Sequence, residues 1–211
     1  MLRITEIFLS IQGESSTVGL PTVFVRLTGC PLRCTYCDTA YAFSGGTQKS
    51  IPEIIDAVSG HGVDHVTVTG GEPLAQPRCK ELLKELCDAG HSVSLETSGA
   101  LSIADVDERV MTVMDLKTPS SGEQARNLYT NIEKLRRHDE VKFVVSDRAD
   151  YDWTKKMIEQ YGLADRATIL LSPNHERLHP RELGEWLLAD KLPARLQVQL
   201  HKYLWGDEPG R

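Results

Sequence analysis

The sequence predicts an α/β fold, a single domain built on a mostly parallel sheet. Apolar, β-branched runs alternate with segments that carry apolar residues at helical spacing, which is typical of βαβ units. No repeat, low-complexity tract or composition shift divides the 211 residues, so we expect one domain over residues 1–211. Hydrophobic residues make up 40% and charged residues 26% of the chain, which is the usage of folded globular proteins.

Strands are predicted wherever a short apolar or β-branched run is bounded by glycine, proline or polar residues. They cover residues 4–11, 22–27, 65–69, 92–96, 110–116, 140–145, 167–171 and 195–201. Helices are predicted over residues 50–59, 77–89, 103–109, 123–137, 151–161 and 180–189. The first helix has an N-cap Ser50 followed by Pro52 and Glu53, the pattern of a capping box. The second has leucines at helical spacing and ends before Gly90, a C-cap residue.

Charge and hydropathy exclude two classes of protein. The formal charge is −6, whereas a generic nucleic-acid binder needs clustered Lys and Arg to neutralise phosphates. No apolar run approaches the roughly 18 residues of a membrane span. The chain starts without the apolar core of a signal peptide, since Thr5 and Glu6 interrupt it. We therefore expect a cytoplasmic protein that binds neither nucleic acid nor membrane.

The five cysteines are a close trio and two distant members, an odd number that argues against a complete disulfide framework. Cys30, Cys34 and Cys37 have the spacing C-x3-C-x2-C and follow a predicted strand. Three thiolates can bind three corners of a 4Fe-4S cluster and leave the fourth iron open. Zinc is the competing metal, although no fourth cysteine or histidine lies nearby in sequence. Cys79 and Cys87, on a predicted helix, are expected to be core residues.

Polar residues follow three successive predicted strands, in segments 69–73, 96–99 and 115–117. In the first segment, Gly70 and Gly71 allow positive φ and close backbone approach to a ligand, and Glu72 adds an anionic acceptor. Ligands of parallel α/β folds bind at the carboxyl ends of the strands. These segments therefore predict one shared ligand site; their alternative interpretation is caps and solvated loops.

The cysteine spacing, with Tyr36 before the last cysteine, resembles the C-x3-C-x-aromatic-C signature of the radical S-adenosylmethionine (SAM) superfamily. Segment 70–73, Gly-Gly-Glu-Pro, resembles the GGEP motif of the same enzymes. The resemblance implies a 4Fe-4S cluster on the cysteines whose open iron chelates SAM. The residues it assigns to SAM binding are Tyr36, Gly70, Gly71, Glu72, Ser98, Asp115, Leu116, Lys117, Ser172, Pro173, Asn174 and His175.

Both ends of the chain resemble the 7-carboxy-7-deazaguanine synthases within that superfamily. The matching parts are segment 11–14 (Ile-Gln-Gly-Glu), Arg26, segment 37–39 (Cys-Asp-Thr) and segment 197–205. The resemblance implies a lyase of queuosine-type 7-deazapurine biosynthesis, which converts 6-carboxy-5,6,7,8-tetrahydropterin to 7-carboxy-7-deazaguanine with loss of ammonia. The implied fold is an incomplete βα barrel of the radical SAM kind, trimmed on its helical side.

In the implied mechanism, a 5′-deoxyadenosyl radical removes hydrogen from C6 of the pterin, and the substrate radical then contracts its ring. The substrate-binding residues are Ile11, Gln12, Gly13, Glu14, Arg26, Thr69, His201 and, through the terminal carboxylate, Arg211. The planar fork of Arg26 suits a carboxylate. Mg²⁺ also contacts the substrate carboxylate in this family. The residues alone favour Asp38 as its ligand, whereas the resemblance implies Thr39.

The resemblance also implies an electron donor such as flavodoxin or ferredoxin, and a homodimer. Two other functions remain open from the sequence. A radical SAM activase of a glycyl-radical enzyme uses the same cysteine spacing, but the terminal Gln-x-Gln-x-His-Lys stretch and segment 12–14 speak against it. A non-catalytic iron-sulfur carrier or zinc module leaves the Gly-Gly-Glu-Pro segment unexplained.

Overall fold

In the computed structural model, which describes residues 1–206, 208 and 210, helices pack against a nine-stranded sheet. The strands are β1 (Leu2–Ile11), β2 (Pro21–Leu27), β3 (Thr47–Lys49), β4 (His65–Gly70), β5 (Ser92–Thr97), β6 (Met111–Asp115), β7 (Glu140–Val145), β8 (Thr168–Pro173) and β9 (Arg195–Leu196). The helices are α1 (Ile51–Ser59), α2 (Cys79–Asp88), α3 (Arg148–Tyr161), α4 (Pro180–Asp190) and α5 (Leu200–Trp205). Within the described residues, no helix has the length and apolar character that crossing a membrane requires.

The strand order in the sheet is β3-β1-β2-β4-β5-β6-β7-β8-β9. Strand β1 is antiparallel to β2 and β3, and every pair from β2 to β9 is parallel. Within the described part of the chain, β3 and β9 are the two edges and do not pair with each other. The predicted α/β class, with a mostly parallel sheet and an incomplete barrel, is confirmed.

The two faces of the sheet differ in polarity because side chains alternate along each strand. In β4, Val66 and Val68 are buried in the hydrophobic core, whereas Thr67 and Thr69 lie on the other, inner face. In β7, Val141 and Phe143 belong to the core and alternate with charged residues. The helix-facing side therefore holds the apolar core, and the inner face presents polar groups to whatever binds there.

The predicted helix signals are present in the structure. Ser50 caps α1 in a capping box, with its Oγ accepting from the Glu53 amide and the Glu53 carboxylate accepting from the Ser50 amide. Asp147 caps α3 at its N-terminus, and Gly162 ends that helix with a φ of 57°. Cys79 is buried in the core under α2, as expected.

The helices predicted over residues 103–109 and 123–137 are wrong. Residues 103–109 contain only turns, and the second segment holds two short 3₁₀ turns, Gln124–Arg126 and Tyr129–Lys134. The cause is a pair of buried asparagines whose side chains replace helical backbone bonds. Asn127 bonds both the amide and the carbonyl of Lys117, and Asn131 bonds the Ile103 amide and the carbonyls of Gly99 and Leu101.

The final strand, predicted over residues 195–201, is also mostly wrong, because β9 has only two residues and α5 begins at Leu200. Side-chain bonds from two glutamines determine this path. Gln197 accepts from the Ser15 amide at 2.7 Å, and Gln199 donates to the Glu14 carboxylate at 2.9 Å. The short strand β3 pairs with β1 and was not predicted.

Residues 12–20, between β1 and β2, cross the inner face of the sheet. Gln12 Nε2 donates to Thr67 Oγ1 on β4 at 3.0 Å, and the Ser16 amide donates to the Glu140 carboxylate on β7 at 3.0 Å. One loop therefore spans strands on both sides of the sheet centre. Gln197 and Gln199 bond to the same loop, so this part of the C-terminal segment lies against it.

Candidate functional site

A cavity of about 560 Å³ lies on the inner face, where the parallel strands end. Residues from the ends of β4, β5, β6 and β8 line it, as expected for a parallel α/β sheet. We call it the central cavity. Its lining includes these predicted site residues: Ile11, Gln12, Glu14, Arg26, Cys30, Cys34, Tyr36, Cys37, Thr39, Thr69, Gly70, Gly71, Ser98, Asp115, Lys117, Ser172, Pro173, Asn174, His175 and His201.

Three other predicted site residues do not line the central cavity, and a fourth lies outside the described residues. The Leu116 side chain is fully buried in the hydrophobic core, and its predicted contact to SAM stays a prediction. Gly13 lies against the His201 ring, and Glu72 is buried behind the cavity wall. Arg211 is not among the described residues, so its predicted terminal contact stays a prediction.

The cysteine loop and the Gly-Gly-Glu segment pack directly against each other. The Glu72 amide donates to the Gly29 carbonyl at 2.8 Å, and the Gly71 amide donates to the Leu27 carbonyl at 3.1 Å. A Cβ on Gly71 would lie 2.3 Å from the Gly29 carbonyl oxygen and 2.8 Å from Cys30 Cβ. Only glycine at position 71 permits this approach. The two sequence motifs therefore form one continuous wall.

The thiols of Cys30, Cys34 and Cys37 all reach the central cavity. Burial raises the pKa of each thiol, that of Cys34 to about 11. Thiolates here need a positive partner, which bound metal supplies. Among the described residues, no three His, Cys, Asp or Glu side chains converge closely enough to hold a single ion. A 4Fe-4S cluster binds each thiolate at a different iron, so the three thiols on this loop fit it.

Beyond the cysteines, the end of β6 offers an unsatisfied acceptor. Asp115 Oδ1 is buried at the cavity wall and has no hydrogen-bond partner among the described residues. Its other oxygen lies 3.1 Å from Lys117 Nζ. A buried acceptor without a partner carries a desolvation cost that a bound donor relieves. The wall therefore fits a ligand rich in hydroxyl or amine groups, such as SAM.

Glu72 lies behind the cavity wall among buried donors, and its expected contact with SAM stays a prediction. It is fully buried, and its carboxylate accepts from the Leu74 amide at 2.9 Å, from Thr97 Oγ1, and from the Ser98 amide at 2.7 Å. These donors satisfy both oxygens and stabilise the buried charge. Glu72 therefore holds the end of β5 in place, and Gly70, Gly71 and Ser98 are the members of this wall that face the cavity.

On the opposite side of the cavity, Glu14 is the centre of a buried polar network. Its Oε2 lies 2.7 Å from Lys142 Nζ, and Gln197 and Gln199 donate to its two oxygens at 3.1 and 2.9 Å. Burial acts to raise the pKa of Glu14, but the Lys142 ammonium outweighs burial and the pKa is lowered. Glu14 is therefore charged, and it ties the C-terminal segment to β7.

A second buried carboxylate, Glu96 on β5, lies beside this network. Thr69 Oγ1 donates to it at 2.9 Å, and Gln12 Nε2 lies 3.4 Å from its other oxygen. Burial raises the pKa of Glu96, and the charge of Glu14 raises it further against the opposing effect of Lys142. Two acids with opposite pKa shifts thus share one wall: the charged form is favoured at Glu14 and disfavoured at Glu96.

Arg26 projects from β2 into the cavity beside two stacked aromatic rings, Phe8 and Phe24, whose centroids are 5.1 Å apart. Its side chain is 15% exposed. A flat apolar surface beside a guanidinium suits a flat heterocycle that bears a carboxylate.

Thr39 and Asp38 follow the cysteine loop and line the cavity. Thr39 Oγ1 donates to Asp38 Oδ1 at 2.7 Å. Burial acts to raise the pKa of Asp38, but the Thr39 hydroxyl and the Lys142 charge lower it overall. Oxygen ligands from a hydroxyl and a carboxylate suit a hard cation such as Mg²⁺, which retains several waters.

Several cavity residues were not singled out from the sequence, namely Phe8, Phe24, Leu32, Thr35, Phe43, Val113, Lys142, Val144, Glu176, Gln199 and Lys202. Asp38, Glu96 and Thr97 also line the cavity; the sequence suggested them without a committed role. A usable signal existed for Lys142. Glu140 and Lys142 alternate with apolar residues in an otherwise buried strand, and charges at such positions indicate an inner face that binds something.

Comparisons with known proteins agree with this geometry. The sequence profile of the radical SAM superfamily matches residues 24–162. A 7-carboxy-7-deazaguanine synthase of Chlorobaculum tepidum is 46% identical over 210 residues, covering 98% of this chain and 96% of the relative. A protein of the same name from Koribacter versatilis is 40% identical over 224 residues, with 98% of both chains covered.

Two solved structures share the fold. The crystal structure of QueE from Escherichia coli superposes with a TM-score of 0.79 at 24% identity, over 95% of this chain and 94% of that one. Archaeal TYW1 superposes with a TM-score of 0.60 at 13% identity, over 82% of this chain and 72% of that one. With the two full-length relatives above, the sequence match is decisive: the chain belongs to the radical SAM superfamily and, within it, to the 7-carboxy-7-deazaguanine synthases.

Proposed function

We propose that this chain converts 6-carboxy-5,6,7,8-tetrahydropterin to 7-carboxy-7-deazaguanine with loss of ammonia, a step of 7-deazapurine biosynthesis. One observation carries the proposal: three thiols, the glycine pair and the polar strand ends share one cavity with an arginine and stacked aromatics. The cavity of about 560 Å³ is within the range of small-molecule sites. Full-length relatives with the synthase name support the same reaction.

Cys30, Cys34 and Cys37 hold the 4Fe-4S cluster in this proposal, and the walls formed by Gly70–Gly71, Ser98 and Asp115 receive SAM. When bound, these groups supply the 5′-deoxyadenosyl radical that removes hydrogen from C6 of the pterin. The protein fixes the walls that position the reacting atoms relative to each other. The buried bonds of Glu72 fix one wall, and the ion pair of Asp115 and Lys117 fixes the next.

The substrate binds with its carboxylate toward Arg26 and its ring against Phe8 and Phe24. Arg26 offers planar N–H donors to the carboxylate. The opposite edge of a pterin carries amide-like donors and acceptors, and the charged Glu14 and protonatable Glu96 suit its N–H groups. Gln12 lies between these two acids and offers an amide to the same edge. His201 also lines the cavity and is expected near this edge. Burial lowers its pKa, so its imidazole is neutral.

Mg²⁺ fits beside Thr39 and Asp38, and its physical purpose is charge balance. Glu14, Glu96, Asp38 and Asp115 all line the central cavity. Lys142 and Lys117 are already paired with Glu14 and Asp115, so a substrate carboxylate entering this site adds a negative charge that these lysines do not offset. A divalent cation held by the Thr39 hydroxyl would supply positive charge for the substrate carboxylate.

The glycyl-radical activase is not favoured. An activase acts on a protein loop, whereas the central cavity here is lined by paired acids and amides that suit a small heterocycle. The full-length relatives carry the synthase name. A homodimer, a flavodoxin- or ferredoxin-type electron donor and a cytoplasmic location are further parts of the proposal. The reaction needs an external one-electron reductant, and reduced thiols suit a reducing compartment.

The proposal is tested with anaerobically reconstituted protein, SAM, a reductant, Mg²⁺ and the carboxypterin. We expect 7-carboxy-7-deazaguanine and ammonia in equal amounts. An intact cluster that cleaves SAM without forming the deazaguanine would contradict the proposed reaction. Omission of Mg²⁺ separates the metal contribution, since it should weaken substrate binding and leave SAM cleavage active.

A further inference from the structure

Behind the wall of the central cavity, one carboxylate joins Arg26 to the loop that follows the cysteines. Glu6 Oε1 lies 2.6 Å from Arg26 Nε and accepts from the Tyr41 hydroxyl at 2.7 Å. Glu6 and Tyr41 do not line the cavity, whereas Arg26 does. Glu6 therefore acts on the site only through the groups it holds.

The bond to Glu6 determines which edge of Arg26 is available. Nε is engaged by the carboxylate, and the guanidinium lies over the rings of Phe8 and Tyr41, at 5.8 and 5.9 Å from their centroids. A guanidinium held at Nε and between two rings has lost most of its rotational freedom. Its terminal edge, with the Nη donors, is the part that remains to bind a carboxylate in two-point fashion.

The second bond of Glu6 fixes the chain near Thr39. Tyr41 is two residues after Thr39, in the 3₁₀ turn Ala40–Phe43. The Tyr41 hydroxyl donates to Glu6 Oε1 at 2.7 Å, which ties this turn to the same carboxylate that holds Arg26. Glu6 thus holds both groups that are proposed to meet the substrate carboxylate, Arg26 directly and Thr39 through its turn.

We propose that Glu6 is a positioning residue that sets Arg26 and the Thr39 turn in one geometry, so that both meet the same substrate carboxylate. The inference rests on the proposed function and deepens it. An alternative role for Glu6 predicts the opposite change in affinity for the substrate carboxylate. If Glu6 only neutralised Arg26, its removal would strengthen the attraction between Arg26 and any anion. If it positions Arg26, its removal weakens binding despite the gained positive charge.

The test compares Glu6→Gln and Tyr41→Phe with the matched control Glu81→Gln, which breaks an exposed 2.6 Å ion pair to Arg78 on α2. Two readouts are measured on reconstituted protein with SAM and Mg²⁺. The first is the Kd of 6-carboxypterin, a stable analogue, by equilibrium dialysis. The second is the ratio of 5′-deoxyadenosine formed to deazaguanine formed. Iron content and the thermal unfolding midpoint verify that each variant is folded.

We expect Glu6→Gln to weaken analogue binding about tenfold, and Tyr41→Phe to weaken it a few-fold, since only one bond is lost. Both should raise the ratio of deoxyadenosine to product, because a misplaced carboxylate shifts C6 from the radical. Glu81→Gln should match the wild type. In an Arg26→Ala background, Glu6→Gln should add only the smaller, few-fold loss expected for Tyr41→Phe, because Glu6 then acts only through the Tyr41 turn.

Unchanged or tighter analogue binding in Glu6→Gln would overturn the inference, and so would an equal further loss in the Arg26→Ala background. A wild-type protein that does not bind the analogue would overturn it as well. A wild-type protein that binds the analogue and forms no deazaguanine would remove the proposed reaction, while the affinity series still decides the role of Glu6. If Glu6→Gln does not fold, Tyr41→Phe decides, and unaltered affinity there counts against the inference.

Discussion

Glu14 and Lys142 form a buried ion pair with 2.7 Å between Oε2 and Nζ, although 128 positions separate them in sequence. Their side chains are only 13% and 14% exposed. Lys142 also lies 3.6 Å from the Asp115 carboxylate. One ammonium therefore connects the pterin side of the proposed site, at Glu14, with the SAM side, at Asp115. Burial acts to lower the pKa of Lys142, but the surrounding carboxylates raise it well above its ordinary value.

Lys142→Met tests the contribution of this pair to stability. The substitution keeps the length of the side chain and leaves Glu14 as a buried charge without a cation. We expect the free energy of unfolding to fall by about 3 kcal/mol at neutral pH, the lower end for a broken buried pair, because Gln197 and Gln199 still donate to Glu14. Urea unfolding of the apo-protein measures it.

The control is Lys155→Met, which removes a more exposed pair to Asp190 and should cost less than about 1 kcal/mol. The double variant Lys142→Met/Glu14→Gln should recover most of the loss, since it removes the uncompensated charge as well. Equal losses in Lys142→Met and Lys155→Met would mean that the buried pair has no special contribution.

Cys34→Ala tests the cluster assignment. Removal of one of three ligands should abolish stable iron incorporation, and with it SAM cleavage. Iron and sulfide analysis after anaerobic reconstitution measures this directly. Cys87→Ala is the matched control: Cys87 lies in the last turn of α2, is partly buried against the core and does not line the central cavity, so its loss should leave iron content unchanged. Full iron content in Cys34→Ala would refute the assignment of the ligands.

Apart from β3 and β9, the strands were predictable from sequence because their signal is local. The residues of β4 and β7 alternate between apolar and polar, and this period of two survives in the folded sheet. The helices predicted over residues 103–109 and 123–137 failed for a non-local reason. Asn131 donates to Gly99 and Leu101, roughly thirty positions away, so its preference for a turn depends on a partner that only the fold supplies.

The residues of the candidate site likewise include some that contiguous motifs reveal and others that only the fold reveals. The cysteine spacing and the Gly-Gly-Glu segment are contiguous motifs, so they could be recognised before their contact with each other was known. The charge pattern of β7 marks Lys142 as an inner-face residue, but its role could not be assigned from sequence. That role depends on Glu14 and Asp115, which come from other elements. Glu72 shows the converse. Its motif predicts a ligand contact, and only the fold reveals that its carboxylate also accepts from Thr97 and Ser98 and holds the end of β5.

Gly13→Ala tests how closely the C-terminal helix must approach residues 12–14. A Cβ at position 13 would lie 2.1 Å from Nδ1 of His201. The His201 ring must therefore move, although the Leu200 amide is anchored on the Gly13 carbonyl at 3.0 Å. We expect the KM for the pterin to rise about tenfold with unchanged iron content, since a small displacement of binding groups is costly.

Two further variants check this interpretation. Gly184→Ala on α4 places its Cβ 3.4 Å from a Leu196 methyl, an ordinary contact, and should leave KM unchanged. Gly13→Ala combined with His201→Ala should be no worse than His201→Ala alone, because the clashing ring is gone. A normal KM in Gly13→Ala would show that His201 does not need this position.

Glu96→Gln tests the pH dependence of the buried acid. Burial raises the pKa of Glu96 above its ordinary value of 4.5, so its folded form binds the proton more tightly than its unfolded form. Stability from this proton is fully present below pH 4.5 and is lost as the pH rises through the raised pKa. Above that pKa the wild type carries the cost of a buried charge, and the amide does not.

Glu96→Gln should therefore unfold at a higher temperature than the wild type at pH 8, by about 2–4 °C for each kcal/mol. The difference should shrink as the pH falls toward 5. Thermal unfolding across this range measures it, with Glu133→Gln as the exposed control. A constant difference at every pH would show that Glu96 does not titrate in this way.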